Sequence, residues 1–144
     1  MKIFIASDHA GYEYKELIKQ YLVTYEVVDF GCSNKNPCDY PDFAHQLCQN
    51  LKGTEEDIGI LICGTGIGMS IVANRHPHIR CALCHNIETV TMAREHNNAN
   101  VLALGSRIIP KSMINSIVHA FLYNSTSQEK RHIQRRDKIN KINI

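Results

Sequence analysis

The chain has 144 residues, 44 % of them apolar and 21 % charged, with a formal net charge of +2. That is one domain of ordinary size with enough apolar material for a core, and its charge balance excludes nucleic-acid binding driven by bulk charge. No apolar run approaches the ~20 residues of a membrane span, and MKIFIASDHAG turns polar too soon for a signal peptide, so a cytoplasmic protein whose six cysteines stay reduced is expected.

Lys2 to Ser7 reads as a buried strand, ending in Asp8-His9-Ala10-Gly11. Tyr12 to Tyr21 places Tyr14, Leu17, Ile18 and Tyr21 at helical spacing. A second strand, Tyr25 to Phe30, is closed by Gly31, and a polar loop follows to Tyr40. Pro41 opens a helix whose apolar face is Phe43, Ala44, Leu47 and Leu51. Ile58 to Cys63 is a short β-branched run suited to a buried strand, and a helix is expected over Met69 to Asn74. Then come a strand at Ile79 to Cys84, a helix at Glu88 to Glu95, a strand at Asn100 to Leu104, and a helix from Pro110 to about Tyr123. From Gln128 onward a basic helical tail is expected to project from the single domain, residues 1–144.

Five strands alternating with helices predict an α/β fold, a three-layer αβα sandwich around a parallel sheet of Rossmann or flavodoxin-like type. The most economical strand order is 2-1-3-4-5. It sets strands one and three side by side, with a crevice at their carboxyl ends. The loops carrying Asp8-His9 and Cys63 then meet where a ligand is expected.

Between Cys63 and the helix, Gly64, Gly66 and Gly68 alternate with Thr65 and Ile67. A strand, a glycine-rich turn and a helix form a cradle of N–H groups for an anion. The spacing is neither the dinucleotide fingerprint, whose third glycine would fall at Met69, nor a P-loop, which needs a lysine. A tight turn without chemistry is the competing reading of the glycines alone. Cys63, at the mouth of the cradle, is a base or a nucleophile in one reading and a buried core thiol in the other. Asp8 serves equally as a helix cap or a ligand contact; His9 can bind phosphate or move protons. Tyr40 can reach the crevice from the second strand's loop or sit on the surface.

Cys81-Ala82-Leu83-Cys84-His85 matches the haem-attachment pattern in letters only, because the segment reads as a strand. Zinc on Cys32 and Cys38 lacks finger or ribbon spacing. His96 and Asn97 precede the fifth strand and so lie at the amino end of the sheet, away from the crevice of their own chain. A functional role for them requires a symmetric partner. Arg107 follows the fifth strand, and Arg131 and Arg135, four apart on the tail helix, can clamp a phosphate; a solvated basic face is the plainer account of the tail.

Taken together, these segments resemble the ribose-5-phosphate isomerase B family, within the group that includes galactose-6-phosphate and allose-6-phosphate isomerases. The resemblance rests on SDHAG (7–11), DYPDFA (39–44), CGTGIGMSIVANR (63–75), ALCH (82–85), REHNNANVLALGSR (94–107) and RHIQR (131–135). Asn86, Asn98 and Arg75 depart from the family's usual residues without removing a catalytic group. The resemblance implies an aldose–ketose isomerase with no metal or redox cofactor. Its reaction would interconvert ribose 5-phosphate and ribulose 5-phosphate, in the non-oxidative pentose phosphate pathway, through a cis-enediolate. It implies Cys63 as the base, His96 in ring opening, and Thr65 placing a sugar hydroxyl. Asp8, His9, Tyr40, the backbone from Gly64 through Thr65, Gly66 and Ile67 to Gly68, Asn97, Arg107, Arg131 and Arg135 are implied as substrate-binding positions. It also implies a homodimer whose sites are shared between subunits, leaving open a dimer of dimers, and no nucleic-acid or membrane partner. A six-carbon sugar phosphate is the alternative substrate, and a flavodoxin-like phosphate-ligand module is the alternative outside enzymes.

Overall fold

A computed structural model describes residues 1–54 and 56–141; the end of the expected tail, residues 142–144, lies outside the described residues. The elements in chain order are β1 (Lys2–Ser7), α1 (Tyr12–Tyr21), β2 (Glu26–Asp29), α2 (Tyr40–Asn50), β3 (Ile58–Cys63), α3 (Ile67–Ala73), β4 (Cys81–Leu83), α4 (Ile87–Glu95), β5 (Val101–Gly105), α5 (Ile114–Tyr123) and α6 (Lys130–Ile139). All the strand pairs are parallel.

The strand order is β2-β1-β3-β5-β4, not the expected 2-1-3-4-5. The reason lies in which run is apolar enough for an interior position. Every residue of β5, VLALG, is buried, with a ladder on each side. β4 is three residues long, only half-buried, and pairs with β5 alone. A short strand of that kind serves at an edge, so the chain crosses over the place that β5 later fills.

The essential part of the expected topology holds. β1 and β3 are neighbours, with Ser7 opposite Ile62, and β3 is buried throughout. One core layer joins α1, α4 and α5 through Tyr14, Ile18, Val90, Ile117 and Phe121. The other joins α2 and α3 through Ala44, Leu47, Met69 and Ala73. Burying each such Leu or Ile contributes about 1.5–3 kcal/mol, and the two layers place α1 and α3 on opposite faces, which opens the crevice between β1 and β3.

One polar clamp joins α1 to the edge of the sheet. Lys15 is 1 % exposed, and its Nζ lies 2.6 Å from Asp29 Oδ2; Lys19 reaches the same oxygen at 2.7 Å. Burial opposes ionisation of Asp29, but the hydrogen bonds from both lysines outweigh it and hold the carboxyl below its usual range.

The tail does not project as expected. His132 on α6 is buried and stacks on His96, ring centroids 4.2 Å apart. Arg136 Nη2 donates to the Ser127 carbonyl at 3.0 Å. No helix among the described residues is long and apolar enough to cross a membrane.

Candidate active site

The carboxyl ends of β1, β3 and β5 converge. Cys63 ends β3 opposite Gly105 and is 4 % exposed. Gly66 occupies the left-handed region with φ +78, where a side chain would also strike Leu83 and Leu104. That turn brings the Gly66 N–H to Cys63 Sγ at 3.1 Å. The cradle therefore holds the sulfur as well as facing the crevice, and a negative charge on sulfur would find a donor already in place.

The helix after the cradle begins at Ile67 and has seven residues. So short a helix offers N–H groups more than a macrodipole. Ser70 N–H closes the first turn onto Gly66 O at 3.0 Å, and Thr65 Oγ1 accepts the Ile67 N–H at 3.3 Å. The N–H groups of Gly68 and Met69 find no acceptor among the described residues, as is ordinary for the first turn of a helix.

Neighbouring loops bring in the remaining groups. Arg107 N–H donates to Gly64 O at 2.9 Å, and its guanidinium lies over Gly64, where an added Cβ would meet Nη1 at 2.8 Å. Tyr40, the first residue of α2, sets its ring against Gly68 so closely that a side chain added there would have to displace the ring. Asp8 Oδ1 accepts the N–H groups of Ala10 and Gly11 at 2.9 and 3.1 Å, which turns the chain from β1 into α1. The turn-forming reading of Asp8 therefore accounts for this oxygen. His9 Nδ1 accepts the Cys38 N–H at 3.2 Å, so the proton of the neutral ring sits on Nε2, free to meet an anion.

Two contributors carried no legible signal. Ser106 Oγ donates to Ala10 O at 2.8 Å and ties the end of β5 to the SDHAG loop. Cys38 acts on His9 through its main chain, and nothing in a side-chain pattern announces a backbone donor. Cys84 belongs to one core layer and Cys81 packs against the other, and burial pushes both thiols up. Among the described residues no group of three or more His, Cys, Asp or Glu is placed to hold a metal ion.

The other expected residues lie elsewhere in the same chain. His96 caps the end of α4 and Asn97 follows it, before β5 begins. Arg131 and Arg135 are exposed on α6, which packs on that corner through the His96–His132 stack and through Ser127 N–H to Glu95 O at 2.9 Å. β5 separates this corner from Cys63 by about 13 Å of strand at ~3.3 Å per residue. The expected residues thus form two clusters: Asp8, His9, Tyr40, Cys63–Gly68 and Arg107 at the carboxyl end, and His96, Asn97, Arg131 and Arg135 at the amino end. Asn86, one of the departures, caps α4 by accepting the Thr89 N–H at 2.9 Å, so its amide does the work of a carboxylate there.

A family profile described as Ribose/Galactose Isomerase matches residues 3–139. The chain belongs to the ribose/galactose isomerase family. Among relatives of this isomerase, ribose-5-phosphate isomerase B of Escherichia coli is 40 % identical over 143 residues, covering 98 % of this chain and 95 % of its own. A ribose 5-phosphate isomerase structure from Thermotoga maritima superposes with TM-score 0.92 at 45 % identity, covering 98 % of each chain. The Mycoplasma genitalium ribose-5-phosphate isomerase B structure, solved with bound ribulose-5-phosphate, gives TM-score 0.90 at 42 % identity, covering 96 % of this chain and 93 % of that one.

Proposed function

We propose that this isomerase interconverts ribose 5-phosphate and ribulose 5-phosphate, and that Cys63 carries the proton. The observation that carries the reading is the Gly66 N–H on Cys63 Sγ at 3.1 Å, inside a cradle flanked by Arg107. A carbon acid next to a carbonyl ionises only if charge can move onto oxygen. The thiolate of Cys63 takes the C2 proton, the electron pair becomes the C1–C2 double bond, and the carbonyl oxygen becomes the enediolate oxyanion. The open N–H groups of the first turn of α3 stabilise that oxyanion, each such donor contributing about 2.7–4 kcal/mol. As the thiol returns the proton to C1, the proton of the C2 hydroxyl passes to O1, so that C2–O becomes the ketose carbonyl and C1 keeps a hydroxyl. Thr65 places a sugar hydroxyl, and Asp8, whose Oδ1 is already committed, keeps the loop closed. His9 Nε2 and Arg107 hold the phosphate, and this remote binding aligns the reacting carbons.

The cyclic sugar must open first, and the residue that the family resemblance implies for this step, His96, lies at the other end of the sheet. We infer a homodimer in which His96 and Asn97 of the partner subunit complete the site, with Arg131 and Arg135 of the partner subunit on the phosphate. Two observations support this. The two clusters are separated by the length of β5. Ile67 and Ile71, one turn apart on α3 beside the cradle, are 51 % and 60 % exposed, an apolar stripe suited to a symmetric contact. The six cysteines are all unpaired, which supports a cytoplasmic protein; the reaction belongs to the non-oxidative pentose phosphate pathway.

The test is a coupled assay of the purified chain with ribose 5-phosphate and, in parallel, allose 6-phosphate. Turnover on the pentose with the hexose at least about tenfold worse, the scale of one-carbon discrimination, upholds the reading. Turnover on the hexose alone moves the chain to the six-carbon branch of its family, and none on either overturns the assignment.

A further inference from the structure

A second cationic basin lies away from the cradle. A cavity of about 510 Å³ opens where α6 meets the approaches to β4 and β5, and three guanidiniums line it: Arg80, Arg94 and Arg136. Like charges so gathered repel unless something offsets them. Among the described residues none of the three is within ion-pair distance of a carboxylate. Asp137, on the same wall, forms no ion pair either.

Each guanidinium is anchored by main-chain carbonyls. Arg80 Nε donates to Asn98 O at 2.8 Å, Arg94 Nη1 to Ala99 O at 2.5 Å, and Arg136 Nη2 to Ser127 O at 3.0 Å. These bonds hold the side chains in place and leave part of each five-donor fork unspent. Arg94 Nε is the one buried side-chain polar atom left without a partner among the described residues. Burial first, and a neighbouring guanidinium second, pull Arg80 and Arg94 below the usual arginine range. A cluster of this kind is preorganised for an anion and is electrostatically incomplete without one.

We propose that this cavity binds a small oxyanion carrying at least two negative charges, a phosphoryl or polycarboxylate group, on the Arg80, Arg94 and Arg136 guanidiniums. The Asn98 and Gln128 side chains on its wall are suited to its remaining oxygens. The site is separate from the sugar-phosphate site. Arg136 shares the packed face of α6 with His132, four residues away, whereas Arg131 and Arg135 are exposed. It also adjoins the proposed catalytic histidine, because Arg136 Nη1 donates to His96 O at 3.4 Å.

Calorimetric titration of the full chain with pyrophosphate, and with citrate in parallel, tests this, thermal melting serving to check each variant's fold. Saturable binding of either anion is expected, and which one binds more tightly separates the phosphoryl from the carboxylate source. Arg136→Gln should weaken it by about tenfold or more, the scale of one charge-assisted hydrogen bond. Asp137→Asn, which removes the one acid on the wall among the described residues, should tighten it by about two- to fivefold, a gain that misfolding cannot produce. The Arg107→Ala/Arg131→Ala double variant should bind within about threefold of the parent. No saturable binding of either anion, binding unchanged by both Arg136→Gln and Asp137→Asn, or binding lost in the double variant but kept in Arg136→Gln would each overturn the site.

Discussion

In the proposed mechanism one atom, the sulfur of Cys63, decides the chemistry. It is nearly buried and already engaged by a main-chain donor, so replacing it changes proton transfer while leaving the phosphate-holding groups untouched. Cys63→Ala should lower kcat by about 10²–10⁴-fold, the usual contribution of a general base, with KM moved only a few-fold. Cys63→Ser should fall in the same range, because an alcohol at this position is a far weaker base. Steady-state kinetics, together with the loss of solvent-hydrogen exchange into the sugar, checks this; near-parental kcat in both variants removes the base. The place of His9 at the crevice was legible in the sequence because it directly follows a strand. Its tautomer was not, since it is set by an amide 29 residues away, a contact that no local pattern encodes. Ser106 was missed for the same reason.

Among the elements, β3 and its glycine turn were readable to within a residue or two because an unbroken β-branched run followed by alternating glycines admits few foldings. β4 was not: expected over Ile79 to Cys84, it pairs only over Cys81–Leu83. Adjacency in a sheet is a non-local outcome, and two apolar runs of similar length cannot announce which will take the interior. α1 shows a different limit. Its apolar spacing singled out Tyr14, Leu17, Ile18 and Tyr21; Tyr14 and Ile18 are buried, but Leu17 and Tyr21 are only half-buried while Lys15 is buried, because Asp29 on β2 supplies the counter-charge. Asp29→Asn should therefore cost roughly 2–3 kcal/mol in urea unfolding. That is less than the ~3–5 of a fully buried pair, because Glu16 stays 3.1 Å from Lys15. Asp29→Asn unfolding at the parental midpoint would show that the clamp contributes nothing. Histidines set a further limit on the elements that they join. Burial, then His96 and Arg131, push His132 down, and burial, then His45 and His78, push His76 down. The folded state therefore binds fewer protons than the unfolded chain. Stability is complete above the ordinary histidine value of 6.5 and is lost as pH falls below it. Melting temperatures that decline from pH 7 to pH 5, with the decline blunted in His132→Gln, are expected.

At the scale of the whole molecule, the two clusters at opposite ends of β5 underlie the proposed homodimer with shared sites. If the site is shared, Cys63→Ala and His96→Ala are each defective alone, but a heterodimer of the two holds one intact site and one doubly broken site. Random reassortment after mixing should therefore restore about a quarter of parental activity, read out by assay after co-refolding. No recovery, with mixed dimers verified by mass, would return both roles to a single chain. The separation of the two clusters was visible in the sequence, because a residue just before a strand must lie at the opposite end of the sheet from one just after a neighbouring strand.

The interior position of β5 also bears on synthesis. β4 leaves the ribosome before β5, yet among the strands β5 alone offers it a ladder. Until Val101–Gly105 emerges, residues 81–95 have no berth on the growing sheet and must wait uncovered, a slow, long-range closure of the kind that invites chaperones. Nascent chains stalled with β5 still inside the exit tunnel should be cut by protease throughout that stretch, while β1, α1 and β2 are already resistant.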